Sequence, residues 1–398
     1  MGGTTSPEAE SYYFRGKEHL TNKGIEQAHK LGLSLRRRYV DTGFLDGRYL
    51  PSEVVFRSST SERCLMTASA ASSAMFNLTD SGLPTVLPIF TVPRADDYVC
   101  VPRIDCPFVL EEMRTTLGVR NVSPSIGSLL SELFRQEAER LNYTHVTGSR
   151  LRLFEPLFLE HDSGLAVPQW FNDDARKEAD HLLDLTIEFL SGTGAFHRPR
   201  WILTRSGKLL STLLGNQRAA MQGRLNGTKF FAFSTHDATI SALLESFGIL
   251  RQALAPQGRP DFTSAVSFEL FRNSSEYYVK VLYRSGVISD DFVDLTSSIE
   301  ECGGLDGCPV ELIERATKEF RTDSPHELCK IDDVVDDEKD SISFGRSQLL
   351  TILLMIATGV FAMLFLATLC LLMRYRPASD SKVEDISTPE FKRTPTSC

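Results

Sequence analysis

The segment of residues 229–247 constrains the fold most strongly, because its pattern changes from strand to turn to helix without interruption. Residues 230–233 are an apolar run too short for a helix, which predicts a strand buried on both faces of a sheet. From Ile240 onward, apolar residues recur at the spacing that lines one face of a helix, and Gly248 ends it. A buried strand that leads directly into a helix predicts an α/β fold with a parallel sheet.

The turn inside this segment carries Ser234, Thr235, His236 and Asp237. Where a parallel strand ends and the next helix begins, backbone N–H groups and the helix dipole favour an anion. An imidazolium binds a phosphoryl oxygen, and a protonated aspartic acid gives its proton to a leaving oxygen, so the pair suggests phosphate chemistry. The structural alternative is that Asp237 caps the helix and that His236 is an ordinary turn residue.

A second strand, turn and helix follow the same plan earlier in the chain. Residues 53–56 predict a short strand that leads into Arg57, and residues 61–76 predict a helix. If both strands are parallel in one sheet, Arg57 and His236 emerge at the same carboxyl edge, where one phosphate contacts both. The alternative is that Arg57 belongs to a surface ion pair.

Between residues 96 and 199, helical patterns replace the strand signals, which predicts an inserted helical cap. The α/β core then comprises residues 1–95 and 200–325, and its second part contains two strand-like runs that suggest a hairpin. The clearest helices of the cap are 108–117, 126–141 and 173–190, and the hairpin strands are 265–271 and 277–283.

The overall charge excludes one class of partner. The chain has 398 residues and a net charge of -9, with a pI near 5.5. Neutralising a nucleic-acid backbone needs a basic face, and no part of this sequence shows one. Nucleic acid is therefore excluded as a partner.

Residues 349–373 form an uncharged stretch of 25 residues, long enough to cross a bilayer of about 30 Å. We therefore predict a transmembrane helix, preceded by an acidic stalk at 326–348 and followed by a cytoplasmic tail at 374–398. Arg374 and Arg376 follow the span directly, which favours a single-pass type I orientation with the amino-terminal part in a lumen or outside the cell. A buried core helix is the disfavoured alternative, because such helices rarely run this long without a polar face.

Asparagines in Asn-x-Ser/Thr triplets independently indicate a lumenal or extracellular setting. All of these triplets precede the predicted span. Pro124 follows the triplet of Asn121, so we expect glycosylation at the other four. These are Asn77, Asn142, Asn226 and Asn273.

Six cysteines precede the span, an even number that predicts disulfides in an oxidising compartment. The sequence leaves their pairing open. A metal site is disfavoured, because the chain has no Cys-x-x-Cys and no pair of histidines at ligand spacing. The six are Cys64, Cys100, Cys106, Cys302, Cys308 and Cys329.

The first eleven residues are small and polar, and they contain no apolar segment of the kind found in signal peptides. The orientation predicted above requires that the amino-terminal part cross a membrane. We therefore expect that the sequence is incomplete at its start.

Several blocks, taken in order, resemble the histidine acid phosphatases of the membrane-bound, lysosomal or prostatic type. The resemblance implies an α/β fold with a phosphoglycerate-mutase-like sheet core flanked by helices, an inserted helical cap and one carboxyl-terminal transmembrane helix. It also implies hydrolysis of phosphomonoesters at acid pH without a cofactor, in a lysosome or at the cell surface, and it leaves a homodimer open. The blocks are Leu20-Thr21 with Gly24, residues 35–39, Arg57-Ser58 with Arg63, Leu65 and Met66, Thr91-Val92-Pro93, and residues 234–243.

The resemblance also implies roles for individual residues. Arg57 would bind the phosphate, His236 would stabilise its negative charge, and Asp237 would protonate the leaving alcohol. The family further suggests two disulfides and leaves two cysteines unassigned. The suggested pairs are Cys106 with Cys329 and Cys302 with Cys308, and the unassigned residues are Cys64 and Cys100.

The chain departs from the family pattern at the nucleophile. Histidine acid phosphatases carry a nucleophilic histidine in an Arg-His-Gly-x-Arg-x-Pro motif on the first strand, where it forms a phosphohistidine. None of the eight histidines here lies between arginine and glycine, so the first strand and its nucleophile are missing from the pattern. We favour an acid phosphatase whose sequence begins at an internal methionine. The alternative is a membrane-tethered pseudophosphatase that binds a phosphorylated ligand or a protein partner.

Overall fold

The structure, a computed structural model, describes residues 6–16, 18–76, 86–145, 153–274 and 276–330, all within one compact unit. In this part of the chain no helix combines the length and the apolar character needed to cross a membrane. The predicted span at 349–373, the tail at 374–398 and the stalk beyond residue 330 lie outside the described residues.

The first sheet is parallel and has the strand order β2-β1-β3. Strand β1 (Val54–Ser58) pairs along its whole length with β3 (Phe230–Ser234), and Arg57 lies opposite Phe233. Strand β2 (Ile89–Phe90) pairs with the other side of β1. The prediction that β3 is buried on both faces is wrong, since all five of its residues are half-buried. The reason is that β3 stands at the end of this sheet among the described strands.

Each of the two longer strands leads into a helix, as the sequence predicts. Helix α3 (Glu62–Met75) follows β1, and α9 (Asp237–Ser246) follows β3. Val54 and Phe56 of β1 are buried in one apolar cluster with Met75 at the end of α3. The packing therefore fixes α3 against the sheet, with its start at the carboxyl edge of β1.

Helix α2 (Asn22–Leu35) lies along α3. It begins at Thr21, whose Oγ1 accepts a hydrogen bond from the backbone N–H of Gly24 at 3.1 Å. Gly32 approaches α3 so closely that a Cβ atom there would stand 2.2 Å from the carbonyl oxygen of Ala71. Glycine at position 32 therefore permits the close contact of the two helices.

The second sheet confirms the predicted hairpin. Strands β4 (Ala265–Asn273) and β5 (Glu276–Arg284) are antiparallel, and two short strands pair with β5. Helix α8 (Pro199–Met221) and α9 bury their apolar faces in a common cluster with this sheet. The two short strands are β6 (Val293–Asp294) and β7 (Cys308–Pro309).

Helices dominate the region predicted as a cap, and they share an apolar cluster of their own. The three helices predicted there are confirmed as α4 (Pro107–Thr116), α5 (Ile126–Leu141) and α7 (Asp173–Ser191). Helix α6 (Phe154–Asp162) was not predicted, and Pro156 lies in its first turn, where proline is tolerated. The limits 96 and 199 of the cap stay predictions.

Two disulfides crosslink the described residues, one across a sequence separation of 223 residues and one across a separation of 6. One joins Cys106, at the start of α4, to Cys329, and the other joins Cys302 to Cys308.

The remaining elements are short. They are α1 (Pro7–Tyr12), α10 (Leu250–Leu254), α11 (Val310–Ala316), α12 (Pro325–Leu328), a π-helical turn (Arg36–Val40) and 3-10 turns at Gly194–Phe196, Thr296–Ser298, Glu300–Cys302 and Lys318–Phe320.

Candidate active site

Arg57 lies near the carboxyl end of β1, where a buried carboxylate holds its guanidinium. Arg57 Nη2 donates a hydrogen bond to Asp97 Oδ1 at 2.7 Å. The Asp97 side chain is fully buried, whereas that of Arg57 remains 23% exposed. Asp97 Oδ1 also accepts hydrogen bonds from the backbone N–H groups of Val99 and Cys100, both at 3.0 Å. The guanidinium is therefore anchored from the protein side and remains open to a ligand.

His236 and Asp237 stand at the end of the neighbouring strand. His236 is the N-cap residue of α9, and Asp237 is the first residue of that helix. Asp237 Oδ1 accepts a hydrogen bond from the backbone N–H of Ala238 at 2.7 Å. The structural alternative, in which Asp237 caps the helix, is wrong, because His236 occupies the cap position and Asp237 accepts its hydrogen bond from the adjacent backbone N–H, which leaves a chemical role open.

The turns after β1 and β3 are joined by direct contacts. The backbone N–H of Ser59 donates to the carbonyl of Ser234 at 3.0 Å. Thr235 Oγ1 donates to the carbonyl of Cys100 at 2.8 Å, and Cys100 shares Asp97 with Arg57. The parallel register and these contacts bring Arg57, His236 and Asp237 to one edge of the sheet.

The surroundings of His236 favour a neutral ring. Burial, together with the positive charges of Arg63 and Arg94, lowers the pKa of His236 to about 4, and the carboxylate of Asp97 opposes this shift. Without a ligand, the imidazole is therefore neutral above that pH, unlike the imidazolium considered from the sequence. A neutral ring still donates one hydrogen bond to a phosphoryl oxygen, and a bound anion favours its protonated form.

The carboxyl group of Asp237 has the opposite tendency. The residue is exposed to solvent, yet burial raises the pKa of Asp237 more than the Ala238 N–H and the Arg63 charge lower it. The two observations agree if water reaches the carboxyl group from one side while protein atoms on the other sides remove most of its hydration. A raised pKa keeps the proton on this group at acid pH, as a general acid requires.

Arg63, in the first turn of α3, also faces His236. Its Nη2 lies 3.4 Å from His236 Nδ1, and its Nη1 forms an ion pair with Glu18. An arginine only donates hydrogen bonds, so Nδ1 is the acceptor and the neutral ring carries its proton on Nε2. Sequence reasoning used Arg63 only as a mark of family resemblance and did not identify Glu18 or Asp97. Their local pattern does not distinguish them from ordinary surface residues.

Cys64 lies close to His236, which makes it a candidate to replace the missing nucleophilic histidine. Its Sγ lies 4.0 Å from both ring nitrogens of His236 and donates to the carbonyl of Thr235 at 3.2 Å. Burial raises the pKa of the Cys64 thiol, so the group stays protonated and a poor nucleophile. Burial also raises the pKa of Cys100 to about 12. These two thiols therefore line the site without replacing the missing histidine.

The other predicted residues have simpler positions. Asn142, Asn226 and Asn273 are exposed, as attachment of a glycan requires, and Asn77 lies outside the described residues. Their glycosylation stays a prediction. Within the described ranges, no group of three or more histidine, cysteine, aspartate or glutamate side chains could hold a metal ion.

Comparison with known proteins supports a family assignment. The model of the histidine phosphatase superfamily (branch 2) matches residues 7–284. The protein named "Putative acid phosphatase 1" of Caenorhabditis elegans is 30% identical over 371 residues, which cover 89% of this chain and 85% of that protein. The lysosomal acid phosphatase of Xenopus laevis is 28% identical over 295 residues, which cover 71% of this chain and 65% of that protein.

Solved structures agree at the level of the fold. The apo form of the Hafnia alvei phytase has a TM-score of 0.53 at 16% identity, covering 79% of this chain and 89% of that one. The Citrobacter braakii phytase has a TM-score of 0.51 at 15% identity, covering 79% and 90%. The resemblance to histidine acid phosphatases inferred from the sequence is thereby confirmed. On the extent of the family match and the identity to its relatives, the chain belongs to the histidine phosphatase superfamily, branch 2.

Proposed function

We propose that the chain binds phosphomonoesters at the edge shared by β1 and β3, in the manner of an acid phosphatase. Arg57 binds the phosphoryl group, His236 donates a hydrogen bond that stabilises its negative charge, and Asp237 protonates the leaving alcohol. The observation that carries the proposal is the convergence of these three side chains at adjoining strand ends. The names of the relatives, acid phosphatases, support the same chemistry.

The electrostatics support different roles for Arg57 and Asp237 within this site. The guanidinium of Arg57 is oriented by Asp97, which suits binding of an anion. Asp237 has a raised pKa and is exposed to solvent, which suits transfer of a proton to a leaving oxygen. After that transfer, the Ala238 N–H and the Arg63 guanidinium stabilise the carboxylate.

The covalent step is where this sequence differs from the family. The family's phosphohistidine requires a histidine in an Arg-His-Gly motif, which is not among the eight histidines of the sequence. We therefore propose that the chain with this sequence binds phosphomonoesters but hydrolyses them poorly. The same observation favours the second candidate function, a pseudophosphatase that binds a phosphorylated ligand or a protein partner.

Two measurements on the full chain, purified in detergent, test this proposal. At pH 5 we expect little or no hydrolysis of an aryl phosphate, whereas calorimetry detects binding of inorganic phosphate. Arg57→Ala should weaken that binding about a hundredfold, since charge-assisted hydrogen bonds to a charged group contribute about 1.5–3 kcal/mol. Steady hydrolysis that His236→Ala abolishes would show that the chain is an active phosphatase. Unchanged binding by Arg57→Ala would remove Arg57 from the site.

We also propose that this site faces a lysosomal lumen or the cell exterior, on a chain anchored by one membrane span at 349–373. The uncharged stretch, the glycosylation triplets and the lysosomal relative support this placement. Expression in animal cells, followed by endoglycosidase treatment, should reduce the apparent mass, and the tail should be digested by protease added to intact microsomes. A chain without glycans would contradict the placement.

A further inference from the structure

Arg63 stands at one of the two turns that form the candidate site, and its side chain contacts the other. It is the second residue of α3, a helix whose N-cap Ser61 makes no side-chain capping hydrogen bond. Its guanidinium reaches from this helix start to the ring of His236, which stands at the start of α9. Arg63 therefore bridges the two turns on which the proposed phosphate site is built.

The charge of Arg63 acts on both titratable groups of the site. It contributes, after burial, to the lowered pKa of His236, and it opposes the burial that raises the pKa of Asp237. Its Nη2 lies 3.4 Å from Nδ1 of His236, and Asp237 is the next residue after His236. An anion bound between His236 and Asp237 would also be close to Arg63.

Glu18 forms an ion pair with the guanidinium of Arg63. The two side chains form an ion pair in which Arg63 is 39% and Glu18 is 50% exposed. Glu18 has a left-handed backbone conformation, with φ of 70°. An exposed pair of this kind contributes little to stability, so a phosphoryl group can displace Glu18 at low cost.

We propose that Arg63 is a second anion-binding guanidinium of this site and that Glu18 competes with the phosphoryl group for it. The inference rests on the proposed function, and it adds a residue and a competitor that the function does not require. The planar fork of Arg63 offers two donors to a tetrahedral anion, while Arg57 binds the anion from the Asp97 side. Glu18 then sets how tightly the empty site attracts phosphate.

Calorimetric titration of the full chain in detergent with inorganic phosphate at pH 6 tests the inference. Arg63→Ala should raise the dissociation constant about tenfold, as expected for loss of one charge-assisted hydrogen bond at a partly exposed position. Arg63→Lys, which keeps the charge without the fork, should recover part of this loss. Glu18→Gln should lower the dissociation constant about fivefold, and most of this gain should vanish in the Glu18→Gln, Arg63→Ala double variant.

Glu62→Gln is the matched control for Glu18→Gln. Glu62 precedes Arg63 on α3, is 59% exposed and pairs with His19 at 3.1 Å, so its substitution removes the same charge nearby without freeing Arg63. We expect binding within about twofold of wild type, since exposed ion pairs contribute little. An equal gain from Glu62→Gln would show that Glu18 acts only through general charge and would overturn the competition.

The remaining outcomes separate the inference from the proposed function. Wild-type binding by Arg63→Ala, with normal thermal unfolding, would overturn the inference alone. Loss of binding in Arg63→Ala but not in Arg57→Ala would support the inference and contradict the proposed role of Arg57. If neither the wild type nor Glu18→Gln binds phosphate, both proposals fail.

Discussion

The two strand-turn-helix units of the first sheet share one local plan but hold their functional groups in different ways. In the β1–α3 unit the charged group, Arg57, belongs to the strand and is tied to the fully buried Asp97. In the β3–α9 unit His236 and Asp237 lie beyond the strand, in the turn and at the helix start. The first unit holds its charged group against a buried carboxylate, and the second carries a half-buried imidazole and an exposed carboxyl group.

The difference matches the roles that we propose for these groups. A guanidinium that binds an anion never exchanges its proton, so a rigid, partly buried position improves its orientation without loss of function. An imidazole and a carboxyl group that exchange protons need contact with ligand and water. The same local architecture therefore suits both proposed roles, anion binding by the first unit and proton transfer by the second.

The largest expected effect is on the free energy of unfolding, and it tests the ion pair between Arg57 and Asp97 in the β1–α3 unit. Asp97→Ala leaves the Arg57 charge without its buried partner and should lower the free energy of unfolding by about 3 kcal/mol. Asp237→Ala removes only a bond to the first turn of α9, so the expected loss is about 1 kcal/mol. Urea unfolding of the full chain measures both values.

Asp96→Ala is the control for this comparison, because Asp96 is the exposed neighbour of Asp97. We expect a change within about 0.5 kcal/mol, as for most surface substitutions. Equal losses for Asp97→Ala and Asp237→Ala would contradict the contrast between a fixed and an accessible unit.

A smaller effect is the pH dependence of anion binding that His236 of the β3–α9 unit should cause. An anion beside His236 raises its pKa above the value of about 4 found without ligand, so the complex takes up a proton. Affinity should therefore rise as the pH falls from about 6.5 and level off below about 4, by about tenfold for each pKa unit gained on binding. Sulfate suits the titration, because its own charge stays constant over this range.

His236→Gln is the matched variant for the pH series, since it keeps a hydrogen-bond donor but does not titrate. We expect it to remove most of the slope and to leave the smaller part due to Asp237, whose protonation also favours an anion. Arg57→Ala should weaken sulfate binding at every pH and keep the slope. A slope unchanged in His236→Gln would assign the protons to another group.

Much of the fold was predictable because local patterns carry it. The apolar runs before Arg57 and Ser234 predicted two strands, and the helices of the cap and the β4–β5 hairpin were found from periodicity alone. The half-burial of β3 was not predictable, because an apolar run does not reveal how many neighbours its strand has. Helix α6 was not predicted.

For the candidate site, the sequence predicted Arg57, His236 and Asp237, since strand ends followed by polar turns indicate ligand-binding edges in α/β sheets, and their functional roles stay predictions. It did not identify Asp97, Glu18 or the second role of Arg63. Asp97 is 40 residues from Arg57 along the chain, and Glu18 is 45 residues from Arg63. No periodicity or motif spans such separations.

The sequence by itself determined which residue types stand at the ends of the two strands. It also determined the family to which the chain belongs and the absence of a histidine in an Arg-His-Gly motif. Only the tertiary structure decided the state in which those residues work. The neutral ring of His236, the protonated tendency of Asp237 and the anchoring of Arg57 all depend on burial and on charges contributed by distant segments. Solvation and Coulomb interactions act through space, so their strength is set by the packed fold rather than by the order of residues.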